Sequence, residues 1–367
     1  MKIDRLKENH FAKKKNRKIG RGYPCFIIAE AGVNHNGSLE TAKKLVDIAV
    51  CSGVDAIKFQ TFKADSLVAS DAPKAAYQLK SCDINESQYD MLHRLELSPK
   101  AHQELFEYCG KKDILFMSTP FDEESATMLA DLGVEYLKIA SGEIINLPFL
   151  SHVAQLHKPI ILSTGMSYLS EVDEAVRTIQ QVWKDVYPRE NWPPLILLHC
   201  LTEYPAPMAE INLRAMTTLG ETFKLPVGYS DHTVGIEVPI AAVALGATVV
   251  EKHFTLDKNL PGPDHRASLE PEELKNMVQS IRNIEAALGD GVKVPAHGEV
   301  KNRQIVRKSL VAARDLKEGH KISPEDVVAK RPGSGIKPCQ KELVTGSVLQ
   351  KAITKDTPLN WGHLIRC

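Results

Sequence analysis

Eight short apolar runs alternate with helical patterns across residues 25–289, and this alternation restricts the fold more than any other feature of the chain. The runs are Cys25–Ala29, Ala56–Phe59, Ile114–Ser118, Tyr136–Ala140, Pro159–Ser163, Leu195–Cys200, Pro226–Ser230 and Ala247–Lys252. Each is near-continuously apolar, as parallel strands buried on both faces must be. Helical candidates such as Leu39–Cys51, Ala101–Lys111, Glu123–Leu132, Leu169–Trp183 and Glu237–Leu245 lie between them, and Pro271–Leu288 follows the last run. Eight strand–helix units over this length predict an α/β fold of the (β/α)8 TIM-barrel type. The main rival is a doubly wound open sheet. It lacks specific support, because no GxGxxG follows the first strand.

The rest of the chain divides around that unit. Residues 1–24 are basic and lack an apolar segment, which reads as a solvated tail and not as a secretory signal. The connection 61–98 is too long for an ordinary strand-to-helix loop and predicts a functional insertion or lid. Residues 290–305 are rich in Gly, Pro and charge, which predicts a linker. Extended, a linker of this size reaches roughly 55–60 Å, enough to cross to a neighbouring subunit. Residues 306–367 form a small unit that gains from docking on a larger one.

Lys+Arg and Asp+Glu number 46 each, so the chain has no net charge. Neither nucleic acid nor an anionic membrane surface is then expected as a partner, and no run is long and apolar enough to span a bilayer. The seven cysteines are scattered without a CxxC pair, as expected for reduced thiols in the cytoplasm.

Function is read from position. Nearly every strand ends in a polar cluster: AEAGVNHNG, KFQTF, STPFD, KIASGE, STGM, HCLTEYP, YSDHT and EKHFT. In a barrel the C-terminal strand ends carry the chemistry. A period of two places Lys58 with Gln60, and Glu251 with His253, on one face each. His232 and His253 end neighbouring strands and suit a divalent metal, Mn²⁺ first, with Mg²⁺, Co²⁺ or Fe²⁺ as substitutes; two hydrogen-bonding histidines are the other reading. Lys138, Ser141, Ser163, Thr164 and Ser230 supply the cation and short donors a phosphate wants, although each hydroxyl could instead cap a helix. Lys58 and Lys138 need anionic partners if buried, and a Schiff-base lysine is the competing chemistry. Glu30, Glu143, Asp231, Glu251 and Asp264 are the carboxylates able to handle a proton or a water. Asp231 is the one expected to serve in an ion pair.

Taken together and in order, IIAEAGVNHNG, KFQTF, STPFD, KIASGE, LSTGM, YPAP, GYSDHT, EKHFTLDKNLPGPDH and KRPGSGI resemble the sialic acid synthase family over about residues 25–365. The C-terminal part is similar to that family's antifreeze-like (SAF) domain. The resemblance implies condensation of phosphoenolpyruvate with an N-acylated amino sugar and water to a nine-carbon 2-keto acid and phosphate. N-acetylmannosamine, giving N-acetylneuraminate, is the first acceptor it suggests; a 2,4-diacetamido-trideoxyhexose, giving legionaminate or pseudaminate, is the alternative. It implies His232 and His253 as metal ligands, and Lys58, Lys138, Ser141, Ser163, Thr202 and Ser230 as the phosphoenolpyruvate site. Gln60, Glu143, Tyr204 and Asp264 are implied near the sugar or the reacting carbons, with Glu30 and Glu251 handling the water. Arg331 is implied to reach the sugar's N-acetyl group from a C-terminal domain swapped in a homodimer. A metal-free Schiff-base pyruvate aldolase and a carbohydrate- or ice-binding protein are the rivals from other classes.

Overall fold

The computed structural model describes residues 18–69, 72–74 and 86–365. Eight parallel strands alternate with helices: β1 (Phe26–Gly32), β2 (Ala56–Thr61), β3 (Leu115–Pro120), β4 (Leu137–Ile139), β5 (Ile160–Ser163), β6 (Leu195–Cys200), β7 (Val227–Asp231) and β8 (Val249–His253). Their order in the sheet is β3-β2-β1-β8-β7-β6-β5-β4, and β3 packs beside β4 to bring the two ends together into a near-closed barrel. The helices of this unit are α1 (Leu39–Ser52), α2 (Ala64–Leu67), α3 (Gln88–Leu95), α4 (Pro99–Lys111), α5 (Glu123–Leu132), α6 (Leu147–Gln155), α7 (Leu169–Val186), α8 (Arg214–Phe223), α9 (Glu237–Ala244) and α10 (Pro271–Leu288).

Local chemistry sets the helix ends. Ser38 accepts a hydrogen bond from Thr41 N at the start of α1, and Gly53 ends that helix in the left-handed region at φ 79°. Asp122 caps α5 in the same way and Gly133 stops it. The insertion after β2 contains α2 and α3.

Strand alternation builds two apolar layers. One parity of each strand faces the helices, as Ile27, Ile57, Phe116 and Leu197 do. The other parity fills the barrel interior with Phe26, Ile28, Ala56, Leu115, Met117, Ile161, Ile196, Leu198 and Val249. Gly228 stands where a Cβ would lie 2.3 Å from Val249 O and 2.8 Å from Leu198 Cδ2, so that inner position has no room for a side chain.

Three features differ from the sequence expectation. Ile19, inside the stretch read as tail, packs on the inner barrel cluster, because one apolar side chain can cover the otherwise open end of that layer; residues 1–17 lie outside the described residues. Residues 290–305, read as linker, run largely into a helix, α11 (His297–Val306). It starts with Glu299 accepting a hydrogen bond from Ala296 N, a capping contact that Gly and Pro content did not suggest. Finally, α6 and α8 complete the helices that periodicity had only partly traced.

The chain separates into two compact units, Met1–Gly289 and Asp290–Cys367. The second pairs β9 (Ser309–Ala312) with β10 (Val327–Lys330) antiparallel, carries α12 (Lys341–Val344), and pairs β11 (Val348–Leu349) with β12 (Leu364–Ile365). Its own core includes Leu310, Ile322, Val344 and Leu359. No helix among the described residues is long and apolar enough to cross a membrane.

Candidate active site

The parity that fills the barrel interior with apolar groups continues upward into charge. β1 runs Phe26, Ile28, Glu30; β2 runs Ala56, Lys58, Gln60; β8 runs Val249, Glu251, His253. Register then decides who meets whom: Glu30 lies beside Lys58 on one side and His253 on the other, and Ser230 lies beside Glu251. These residues line one cavity of about 340 Å³ at the C-terminal strand ends, together with Lys138, Ser141, Ser163, Thr202, Tyr204, His232 and Asp264.

Two buried lysines face two buried carboxylates. Lys58 Nζ is 2.7 Å from Glu30 Oε2 and 3.8 Å from Glu251 Oε1. It also donates to Thr119 Oγ1 at 2.7 Å. Lys138 Nζ has only looser contacts, Glu251 Oε1 and Ile139 O, both at 3.4 Å. The two carboxylates are driven apart in acidity. Burial pushes Glu30 up to about 7, against the pull of Lys58. Burial also pushes on Glu251, but Lys138 and Lys58 together outweigh it and hold that carboxyl below its ordinary value. Burial lowers Lys138, whose neighbour Glu251 offsets part of the shift.

Some polar atoms here make no hydrogen bond among the described residues. Ser163 Oγ, Glu251 Oε2 and His253 Nδ1 are buried and accept or donate no hydrogen bond. Buried polar atoms are almost always satisfied, so three around one cavity mark where a ligand completes the set.

The two histidines fit a metal. Their ring centroids are 5.5 Å apart, with Tyr204 4.0 Å from His232 at a tilt of 33° and edge-on to His253. His232 Nδ1 lies 2.6 Å from Leu201 O; a carbonyl only accepts, so Nδ1 carries the proton and Nε2 keeps its lone pair. Burial keeps both rings neutral, His232 at about 4 and His253 well below its ordinary value. Asp264 Oδ2 stands 3.9 Å from His253 Nδ1, and burial raises that carboxyl to about 6. Among the described residues no three His, Cys, Asp or Glu side chains are already arranged around one ion. The donor set therefore suits an ion whose other positions are filled by water or substrate oxygens.

Behind the histidines the strands are pinned. Asp231 and Lys252 point out of the barrel, adjacent in register, with Nζ 2.6 Å from Oδ2 and both side chains fully buried. Asp231 Oδ1 also accepts from Thr233 N at 3.0 Å. This is the ion pair expected of Asp231. It fixes the residues on either side of His232 and the one before His253.

Not every expected residue joins the site. Glu143 does not line the cavity: it closes a short 3-10 turn, Ser141–Glu143, and accepts from Asn146 Nδ2 at 2.8 Å. The turn that sends Ser141 inward carries Glu143 to the rim. Thr164 is also removed from phosphate duty, since its hydroxyl donates to Leu198 O at 3.0 Å. Ser141 Oγ accepts from Gly165 N and touches Cys200 Sγ at 3.1 Å. Arg331 follows β10 in the second unit. Thr119 lines the same cavity and was left unassigned by the sequence reading. Its signal was available, a hydroxyl at a strand end inside STPFD, in register beside Gln60.

The NeuB family model matches residues 45–293 and a SAF domain model matches residues 307–365. The chain belongs to the NeuB family. It is 51% identical over 355 residues, 95% of this chain and 99% of the relative, to the N,N'-diacetyllegionaminic acid synthase of Legionella pneumophila. It is 53% identical over 330 residues, 90% of this chain and 97% of the relative, to the N,N'-diacetyllegionaminic acid synthase of Campylobacter jejuni. The N-acetylneuraminic acid (sialic acid) synthetase of Leptospira borgpetersenii, solved with citrate, superposes with a TM-score of 0.69 at 38% identity, covering 78% of this chain and 93% of that one. This NeuB protein is thus an enzyme of the sialic-acid-synthase type.

Proposed function

We propose that this enzyme condenses phosphoenolpyruvate with a 2,4-diacetamido-2,4,6-trideoxyhexose and water, giving N,N'-diacetyllegionaminate and phosphate. The observation that carries the acceptor is the identity of about half to two N,N'-diacetyllegionaminic acid synthases along nearly their whole length. This revises the sequence expectation of N-acetylmannosamine. The strand-end motifs face the part of the sugar that both acceptors share, so they could not separate the two.

The cavity supports the chemistry. Lys58 and Lys138 take the carboxylate and phosphate of phosphoenolpyruvate, and Lys138, with contacts no shorter than 3.4 Å, is the more available of the two. Ser163 and Ser230 add hydroxyl donors. A divalent ion held by His232 and His253, Mn²⁺ first with Mg²⁺ or Co²⁺ as substitutes, supplies Lewis-acid polarisation of the acceptor's aldehyde oxygen. C3 of phosphoenolpyruvate attacks the aldehyde carbon, and positive charge grows at C2. Water adds at C2, its proton passing to Glu30, while the unpartnered Glu251 Oε2 orients it. The tetrahedral carbon then expels phosphate by C–O cleavage, its hydroxyl proton leaving with the phosphate, and the proton taken by Glu30 goes to the alkoxide formed from the aldehyde oxygen. Holding both reactants over one charged floor supplies much of the rate.

Steady-state kinetics with phosphoenolpyruvate and each acceptor tests the reading. The 2,4-diacetamido sugar is expected to give the highest kcat/KM, above N-acetylmannosamine and above its altrose-configured analogue; a higher value for either of these overturns it. Run in ¹⁸O-water, the reaction is expected to release unlabelled phosphate. Label in the phosphate means attack at phosphorus and a different reaction.

We further propose a homodimer in which Arg331 serves the partner's acceptor. No inward strand-end position among the described residues carries an Arg, and the forked guanidinium suits an acyl oxygen. With α11 formed, the reach of residues 290–306 falls to roughly 40 Å. Mixing Glu30→Ala with Arg331→Ala under subunit exchange is expected to restore activity, since each mixed dimer then has one intact site. A mixture that stays inactive places Arg331 in its own subunit's site.

A further inference from the structure

The cavity has two chemically different sides, and the activity proposed above uses one of them. The charged groups sit on strand ends, with Asp264 on the loop after β8. The insertion after β2 contributes a side with no charge: Leu67 and Val68 at the end of α2, and Gln88 and Leu92 on α3, all half-buried and lining the same cavity. Leu67 and Leu92 also pack against the apolar cluster that holds the insertion on the barrel. Met91 and Leu95, fully buried with Val33 and Phe62, line the same cavity and extend this apolar side. Gln88 and Leu92 are four residues apart, so they share one face of the helix. Among the described residues, nothing hydrogen-bonds the Gln88 side-chain amide.

We propose that this face of the insertion is the subsite for the acceptor's second acetamido group, with Gln88 bonding the amide and Leu67, Val68 and Leu92 packing its methyl. The inference rests on the acceptor reading above and names the residues that would enforce it. An acetamido group is half amide and half methyl, and the wall offers one amide amid apolar side chains. A sugar that reacts at its aldehyde carbon over the lysines presents its far end, from C4 to C6, to this wall. A hydroxyl in that position finds one polar partner among apolar ones, and burying it poorly bonded is costly. The 6-deoxy carbon, a methyl, suits the same surface. Discrimination from such contacts amounts to about 10–200-fold for an apolar group, more where an amide loses its partner.

The test compares Gln88→Leu and Leu92→Ser with the unaltered enzyme, using the 2,4-diacetamido-2,4,6-trideoxyhexose and N-acetylmannosamine as separate acceptors. Both positions are half-buried; Leu92 also packs on the docking cluster, so thermal denaturation checks that each variant keeps its fold, and Gln88→Leu carries the test if Leu92→Ser does not. For the diacetamido sugar, kcat/KM is expected to fall about tenfold or more in each variant, through KM, with kcat little changed, because the contact is remote from the reacting carbons. For N-acetylmannosamine, and for the KM of phosphoenolpyruvate, little change is expected. Parallel losses on both acceptors, or no loss on either, overturn the subsite while leaving the acceptor reading intact. An unaltered enzyme that prefers N-acetylmannosamine overturns the acceptor reading itself, and the subsite with it.

Discussion

Incubation with EDTA is expected to abolish product formation, and Mn²⁺ to restore it. Two neutral imidazoles that share a cavity, one with its Nδ1 committed to Leu201 O and the other with a buried unpartnered Nδ1, have lone pairs and no protein group to receive them. Direct titration of Mn²⁺ by electron paramagnetic resonance is expected to show one bound ion per subunit, lost in His253→Ala. That variant should retain its fold, because His253 ends β8 at the cavity and is not part of either apolar cluster. Its kcat is expected to drop by at least about 10³-fold, the rate equivalent of several kcal/mol of charge stabilisation. Full turnover in a chelated sample, or unchanged Mn²⁺ binding by His253→Ala, would remove the metal from these residues.

The barrel was legible because its signal is local. Each strand carries its own apolar run and its own polar end, and alternation alone says that Glu30, Lys58 and Glu251 face inward. What alternation cannot say is which inward residues meet. The ion pairs of Lys58 depend on the offset between β1, β2 and β8, a non-local quantity, and so does the contact of Lys58 with Thr119. The hydroxyls were harder still. Ser141, Ser163 and Thr164 look alike in sequence, yet one accepts from a backbone N–H, one has no partner, and one donates to a carbonyl. Glu143 is absent from the cavity lining for a related reason: a single 3-10 turn after β4 replaces strand alternation, so two residues beyond Ser141 no longer means the same face. The acceptor-facing wall was hidden because its residues belong to helices inserted after β2, whose docking depends on Met91 and Leu95 finding Val33 and Phe62. Asp231 sits in an ion pair with Lys252 because its parity opposes that of Ser230, which leaves it outside the cavity.

Glu30→Gln is expected to lower kcat by about 10²-fold or more, the usual worth of a positioned base. The substitution keeps the size of the side chain and its bond with Gln60, but not the ability to take a proton. The sign of the pH dependence follows from the raised acidity constant. Burial holds Glu30 protonated up to about pH 7, where an ordinary Glu would long have ionised. A base must be ionised to act, so kcat/KM should rise as pH increases through about 7 and level off above it. Glu251 cannot supply this limb, because Lys138 and Lys58 hold it ionised throughout that range. Phosphoenolpyruvate titrates in its own right, but it does so identically with both enzymes; the part of the limb that disappears in Glu30→Gln therefore belongs to Glu30. Bound phosphoenolpyruvate adds negative charge beside the carboxyl, which should move the limb in kcat to higher pH than the limb in kcat/KM. If the variant keeps both its kcat and the ascending limb, the proton goes elsewhere, and Glu251 Oε2 becomes the acceptor in place of Glu30.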